Sequence, residues 1–306
     1  QQSVAKLREI GIMPDIIICR TEHDLDDANK AKIAMFCNVP VQNVVAFRDV
    51  ENTIYECPLD LRKDKIDRLV ADVLNLKSET PNLSAWQDFV DRIVNPTNEI
   101  NIAVVGKYIE LQDAYKSIYE SLTISGAAHR TKVNVLRVDA EEIDDKNAAK
   151  MIGEVDGILI PGGFGDRGIE GKIEAARYAR EQKIPFFGIC LGMQIATIEF
   201  ARNVCGLAEA NSTEFAKDSP HPVICLQEEQ QGVTDMGGSM RLGSCESILI
   251  AGTKSHELYG GADRIHERHR HRYEFNSDYQ NQLQEAGLVI APVSEKEGLV
   301  EIIENP

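Results

Sequence analysis

The amino-acid sequence predicts an α/β fold: a doubly wound, mostly parallel sheet with helices on both faces, preceded by a smaller α/β segment. Three observations predict it. Short apolar runs bounded by turn residues alternate with helical patterns, the rhythm of strand–helix–strand units. Two of those runs, Gly157–Ile160 and Ile184–Ile189, lead directly into glycine-bearing turns, as strands do where an open α/β sheet carries its chemistry. With 306 residues, 43% of them hydrophobic and 27% charged, the chain is long enough for a sizeable core and is not a disordered composition.

The elements follow in order. Pro14-Asp15 leads into Ile16–Cys19, a continuous apolar run of the kind found in buried parallel strands, and a charged helix over Asp26–Met35 precedes a second strand, Val44–Phe47. Ile66, Leu69, Val70, Val73 and Leu74 share one helix face. Two polar breaks, Ser78–Asn82 and Asn95–Asn98, flank a helix with Ser84 as its expected N-cap and Trp86, Phe89, Val90, Ile93 and Val94 on one side. This stretch, residues 77–98, reads as a linker between a first segment, 1–76, and a second, 99–306. The second restarts with a strand at Ile102–Val105, a helix capped by Asp113 with Tyr115, Ile118, Tyr119 and Leu122 on it, and a strand at Val133–Val138. Gly157–Ile160, a helix over Glu170–Glu181, the strand Ile184–Ile189 and a helix after Cys190 complete the alternation.

Composition excludes several classes of function. Lys plus Arg number 33 against 49 Asp plus Glu, a net charge of −16, which disfavours general binding to nucleic acid or anionic membranes. The uncharged stretch Ile184–Ile198 contains Pro185, Gly188 and Gly192 and is too short to span a bilayer. Seven cysteines without paired spacing suggest a reducing compartment, so the expected location is the cytoplasm. Gln1 opens on a helical pattern and the apolar run Leu299–Ile303 stops at Pro306, so the chain reads as part of something longer.

Two strand ends carry the chemical signal. Gly188-Ile189-Cys190-Leu191-Gly192 is the nucleophile-elbow pattern with Cys as the nucleophile: a tight strand-to-helix turn needs glycine on both sides, and the helix N-terminus favours a thiolate. The amide of Leu191 then points where an oxyanion forms. Pro161-Gly162-Gly163-Phe164-Gly165 lets a ligand approach the backbone and suits the other half of an oxyanion hole. A packing cysteine and a flexible turn are the bland readings, and the two features on neighbouring strands favour the functional one. Gly106-Lys107 is no phosphate-binding loop, because Asn101 stands where GxxxxGK needs glycine. Cys205, Cys225 and Cys245 form no C-x-x-C pair, so no metal site is expected. Seven of the nine residues from Arg264 to Arg272 are basic, either a solvated edge strand or a local anion site.

Taken together these residues resemble the class I, triad-type glutamine amidotransferases and, more narrowly, the CTP synthase family. The resemblance runs through Gly106-Lys107-Tyr108, Asp113-Ala114-Tyr115, Gly162–Gly165 with Arg167-Gly168, Gly188–Gln194, Asn211–Phe215, Met240–Gly243 and Glu267–Glu274. Upstream it runs through Pro14-Asp15, Cys19-Arg20, Ala31–Ala34 and Phe36–Pro40, which look like the end of that family's synthetase domain. It implies hydrolysis of L-glutamine to supply ammonia for the ATP-dependent amination of UTP to CTP, with ATP and Mg2+ serving the synthetase part and GTP as activator. By the same resemblance Cys190 is the nucleophile, Gly163 and Leu191 give the oxyanion-hole amides, and Gly192, Met193, Gln194, Glu214 and Arg272 hold glutamine. Glu214 suits its ammonium and Arg272 its carboxylate. Gln1 and Lys32 would touch UTP or CTP, Arg48, Asp49 and Val50 would lie near ATP, and Arg167 falls where the family responds to GTP. A homotetramer is implied too.

The sequence departs from the family in two places. The family's His and Glu sit in a Phe-His-Pro-Glu segment, whereas His221-Pro222 here is followed by Val223. The nucleophile is therefore expected to lack its base, and these residues alone are expected to be nearly inactive. Arginines alternating with His266, His269 and His271 are expected to depress those imidazoles and make them poor bases. Gln227–Asp235 also looks short against the family. The alternatives are a class I amidotransferase serving another synthetase, a Cys-dependent hydrolase, and a non-catalytic regulatory domain.

Overall fold

β1 (Ile17–Thr21) and β2 (Val44–Arg48) pair in parallel, Ile17 opposite Val44 through Thr21 opposite Arg48. The computed structural model describes residues 1–226, 241–294 and 298–306, so Gln227–Asp235 and Met240 lie outside the described residues. The chain divides into two units, residues 1–99 with 123–132 and residues 100–122 with 133–306.

In the first unit α1 (Gln2–Glu9) and α2 (Asp27–Cys37) close over the strand pair, with Val4, Ala34, Cys37, Val39 and Val44 as the buried cluster. Asp26 caps α2 by accepting the Asn29 amide at 2.7 Å, and Asn38 ends it in the left-handed conformation. β1 departs from the buried strand expected: it is parallel, but Ile18 is 51% exposed, so only one face is covered. α3 (Cys57–Lys63), α4 (Ile66–Val73) and α5 (Ser84–Val94) complete the unit. Ser84 is not the cap of α5. It is the first helical residue, and its own amide is taken by the Asn82 side chain at 3.0 Å, because Asn82 sits where an Asx turn can form. The Trp86 indole donates to the Tyr55 carbonyl at 2.8 Å, and Tyr55, Trp86 and Phe89 pack ring against ring.

The second unit holds the α/β sheet, in the order β4-β3-β5-β6. The elements of this stretch are β3 (Asn98–Gly106), α6 (Lys116–Ala128), β4 (Thr131–Asp139), α7 (Ala148–Ile152), β5 (Gly157–Ile160), α8 (Ile169–Gln182), β6 (Phe186–Gly188) and α9 (Leu191–Asn203), of which β3, α6 and β4 have residues in both units. β3, β5 and β6 are parallel neighbours, which puts the carboxyl ends of β5 and β6, and so the two glycine turns, side by side. Asp113 does not cap α6; it lies within a 3-10 turn, Gln112–Tyr115, that feeds the helix. Ile158 and Ile160 from β5, Ile173 from α8, and Leu191, Ile195 and Ile198 from α9 build the core. They are apolar at strand period 2 and at helical spacing, so each element turns a continuous hydrophobic surface to the next.

Beyond α9 come β7 (Ala210–Ser212), β8 (His221–Cys225), β9 (Arg241–Leu249), α10 (Lys254–Leu258), β10 (Arg264–His271), β11 (Glu274–Phe275), α11 (Gln280–Glu285), β12 (Val289–Ile290), β13 (Pro292–Ser294) and β14 (Ile303–Glu304), with β7 and β8 paired in parallel and the other described pairs antiparallel. β9 is flanked by β10 and β13, both antiparallel to it, so the basic run is an edge strand. Among the described residues no helix is long and apolar enough to cross a membrane.

Candidate functional site

Cys190 has φ 55° and ψ −104°, a left-handed backbone that a side-chain-bearing residue adopts only when its surroundings impose it. The surroundings are close-packed. A Cβ on Gly188 would lie 2.4 Å from the Gly192 carbonyl carbon, and one on Gly192 would lie 2.3 Å from the Ile160 oxygen. Glycine on both sides is what allows the strand to turn into α9 within one residue, as the elbow pattern requires. The close approach of β5 thus requires glycine at 192 for packing. The amides of Gly192, Met193 and Gln194 turn back to the carbonyls of Ile189 and Cys190, which among the described residues leaves the Leu191 amide as the first-turn donor without such a bond.

The glycine turn after β5 faces this elbow. A Cβ on Gly162 would sit 3.4 Å from Cys190 Cβ and 3.9 Å from its Sγ, and one on Gly163 would touch Leu191. The turn is held from below by Lys107, a buried residue at the end of β3 whose amine donates to the Phe164 carbonyl. Tyr115 Oη in turn accepts the Lys107 amide at 3.1 Å. The Gly165 amide donates to Glu214 Oε1 at 2.8 Å. Burial raises the Glu214 carboxyl above the usual range, and the Gly165 hydrogen bond with the charges of Lys107 and Arg272 opposes that shift. Arg272 is the complementary group: its Nε is buried and has no hydrogen-bond partner among the described residues. Gln194 Nε2 donates to the Tyr273 carbonyl at 2.8 Å and so ties α9 to the segment that carries Arg272. Arg167, beside the glycine turn, ion-pairs with Glu141 and donates to the Lys107 carbonyl at 3.1 Å.

The histidines of β10 correct one expectation. Arg268 and Arg270 are exposed, whereas His269 and His271 point the other way, because strand neighbours face opposite sides. Behind them lies a buried charge cluster. Arg241 bonds Glu274 at 3.0 Å and Glu301 at 2.7 Å, and its Nη2 lies 3.2 Å from His269 Nδ1 and 3.5 Å from His271 Nδ1. His269 is lowered, the direction expected, but chiefly by burial and not by the alternating arginines, and His271 is not lowered. There burial is outweighed by hydrogen bonds to Cys190 and Glu274, and the imidazole is pushed up to about 10. Arg268 and Arg270, among the arginines expected to depress it, are on the far face of the strand. His269, His271 and Glu301 bring ligand-type atoms within 4.8 Å of one another, but the Arg241 guanidinium already fills that space with positive charge.

The structure thus brings Cys190, Gly163, Leu191, Gly192, Met193, Gln194, Glu214 and Arg272 onto neighbouring elements of the second unit. Gln1, Lys32, Arg48, Asp49 and Val50 belong to the first. Gln1 and Lys32 are exposed, Arg48 lies 3.4 Å from Asp24, and Asp49 pairs with Arg20 at 2.6 Å just past the end of β2. Sequence reasoning missed Lys107 as a prop, the contact of His271 with the nucleophile, and the Arg241–Glu274–Glu301 cluster. The period-2 alternation of the basic run was the signal available for His271.

Residues 110–306 match the family model for class-I glutamine amidotransferases, and residues 1–76 match that for the CTP synthase N-terminus. The chain is 52% identical over 304 residues to a CTP synthase from Caldanaerobacter subterraneus, covering 99% of this chain and 56% of that protein. The chain belongs to the CTP synthase family. A CTP synthase from Methanocaldococcus jannaschii is 50% identical over 310 residues, covering 99% of this chain and 57% of the relative. The chain therefore spans about half the length of the curated CTP synthases it matches. Among solved structures, the glutaminase domain of the Trypanosoma brucei CTP synthase, with acivicin bound, superimposes with a TM-score of 0.63 at 39% identity, over 68% of this chain and 81% of that one.

Proposed function

We propose that residues 99–306 are a glutamine amidotransferase domain in which Cys190 opens the side-chain amide of L-glutamine. In this reading residues 1–76 are the end of a synthetase domain that aminates UTP to CTP at the expense of ATP, and 77–98 connect the two. The Cys190 sulfur bonds to the amide carbon, the oxyanion is met by the Gly163 and Leu191 amides, and the C–N bond breaks as the nitrogen takes a proton and leaves as ammonia. Water then cleaves the thioester to give glutamate and restore the thiol. Glu214 receives the substrate ammonium, which supplies the positive charge its buried carboxyl needs. Arg272 receives the carboxylate on a guanidinium that has a buried, unpartnered N–H.

In the synthetase part Gln1 and Lys32 would contact UTP or CTP, and Arg48, Asp49 and Val50 would lie beside ATP. The position of Arg48 and Asp49 past the carboxyl end of a parallel strand suits that role. Mg2+ would travel with ATP, Arg167 would take part in a response to GTP, and the protein would work as a cytoplasmic homotetramer.

The observation that carries the glutaminase reading is Cys190 held at φ 55° against the Gly162-Gly163 turn. The experiment is CTP formation by a protein of the relatives' full length carrying this chain. Cys190→Ala should abolish activity with glutamine and leave activity with free ammonia near normal. Equal loss of both would defeat the assignment.

A further inference from the structure

Lys172, in the first turn of α8, is a buried cation that the glutamine site does not use directly. It is 2% exposed, and among the described residues its amine makes one hydrogen bond, Nζ donating to the Arg167 carbonyl at 3.3 Å. An ammonium buried with so little compensation is held against a cost. The start of α8 is pressed onto the 3-10 turn Ala140–Glu142: a Cβ on Gly171 would overlap the Ala140 carbonyl oxygen, and one on Gly168 would lie 3.0 Å from Ala140 Cβ. The turn between β5 and α8 thus hangs from two buried amines. Lys107 takes the Phe164 carbonyl, between Gly163 and Gly165, and Lys172 takes the Arg167 carbonyl at the turn's end. The Arg167 side chain closes the arrangement by donating to the Lys107 carbonyl at 3.1 Å, while the Gly165 amide between the two anchors is placed on Glu214.

Resting on the reading of Cys190 as the nucleophile, we propose that Lys172 is a positioning residue of the glutamine site, its ammonium fixing the end of the Gly162–Gly168 turn and thereby the Gly163 and Gly165 amides. The charges that act on Lys172 are those of Lys107 just past β3, Arg167, Asp139 at the end of β4 and Glu141 in the 3-10 turn. Of the other elements packed on α8, β5 and β6 carry no charged residue, Lys150 of α7 is exposed, and Glu199 and Arg202 of α9 pair with Arg180 and Glu170. Burial and the neighbouring cations outweigh the two carboxylates, and the amine is pushed down to about 8. It is charged at neutral pH, and its bond to Arg167 is then charge-assisted; that bond weakens as pH rises through about 8, leaving the turn to Lys107. The folded chain holds this proton less tightly than the unfolded one, so the ammonium costs stability at neutral pH, and the cost fades as pH rises from about 8 toward 10.5. An apolar residue of similar length should therefore be tolerated by the fold while the site loses its anchor.

The test is glutamine-dependent CTP formation by a protein of the relatives' full length, wild type against Lys172→Met, at pH 7 and pH 9.5, with urea unfolding of both at pH 7. At pH 7 Lys172→Met should lower kcat/KM for glutamine about fivefold, with ammonia-dependent CTP formation close to wild type. At pH 9.5 the ratio of wild type to variant should fall to within about twofold of one, because the wild type has lost the same charge. Taking the ratio at each pH cancels every titration the two proteins share, that of Cys190 included. The unfolding midpoint of the variant should equal or exceed that of the wild type. A ratio near one at pH 7, or one that is the same at both pH values, would overturn the proposal. So would a variant that fails to fold or unfolds well below wild type, which would make Lys172 a member of the packing instead. Cys190→Ala decides the nucleophile by itself, so a flat ratio for Lys172→Met would leave that reading standing.

Discussion

Arg272 and His271 are consecutive residues with different surroundings, and the difference sets what each can do. His271 lies among carboxylates, the thiol and a guanidinium, whereas Arg272 follows with a buried Nε that no described group satisfies. An unsatisfied buried donor costs on the order of 1–3 kcal/mol, a cost that a ligand carboxylate removes on binding. Arg272→Ala in a full-length protein should therefore raise the KM for glutamine about tenfold or more, with ammonia-dependent CTP formation close to wild type. Steady-state kinetics with the two nitrogen donors checks this, and an unchanged glutamine KM would remove Arg272 from the substrate site. At this scale the sequence was informative where a residue's chemistry depends on its immediate neighbours, as at Cys190 between its glycines. It was misleading where chemistry depends on distant segments. Arg268 and Arg270, near His271 in sequence, lie on the opposite face of the strand, and the carboxylate that faces it, Glu274, is anchored by Arg241 from another strand.

At the scale of elements, the elbow is a packing solution before it is a catalytic one. β6 can run into α9 at Cys190 only because Gly188 and Gly192 let the strand, the helix and the end of β5 approach within contact distance. Gly192→Ala would place a methyl 2.3 Å from the Ile160 carbonyl oxygen, a backbone atom that cannot swing aside as the end of a flexible side chain would. The expected loss is roughly 1–3 kcal/mol of stability, measured by urea unfolding, together with displacement of Cys190 and loss of its selective alkylation. An unfolding midpoint equal to wild type would show that the turn can relax. The parallel core β3-β5-β6 and the helices α8 and α9 were legible because their apolar residues repeat at the periods of strand and helix. β9, β10 and the two- and three-residue strands after α9 were not fully legible. Their pattern is set by charged partners, as with Arg241 opposite His271, or is too short to repeat. Ser84 and Asp113 show the same limit for caps: residue type suggested the role, but local turn geometry gave it to Asn82 and to a 3-10 turn.

Across the whole molecule, the two units carry different parts of the family's sequence, the CTP synthase N-terminus at residues 1–76 and the class-I amidotransferase at 110–306. The acidic balance of the chain, net −16, coexists with a basic run confined to one edge strand, which leads into Arg272 of the proposed glutamine site. The central claim is that this chain recognises glutamine and attacks it with Cys190. The most direct measurement is covalent capture of the chain by an electrophilic glutamine analogue such as 6-diazo-5-oxo-L-norleucine, with and without excess L-glutamine, mapped by mass spectrometry. The account predicts a single adduct on the peptide containing Cys190, suppressed by L-glutamine but not by D-glutamine, and weakened in Arg272→Ala. An adduct at Cys19 or Cys205 in preference to Cys190, or capture at Cys190 that L-glutamine fails to slow, would contradict it.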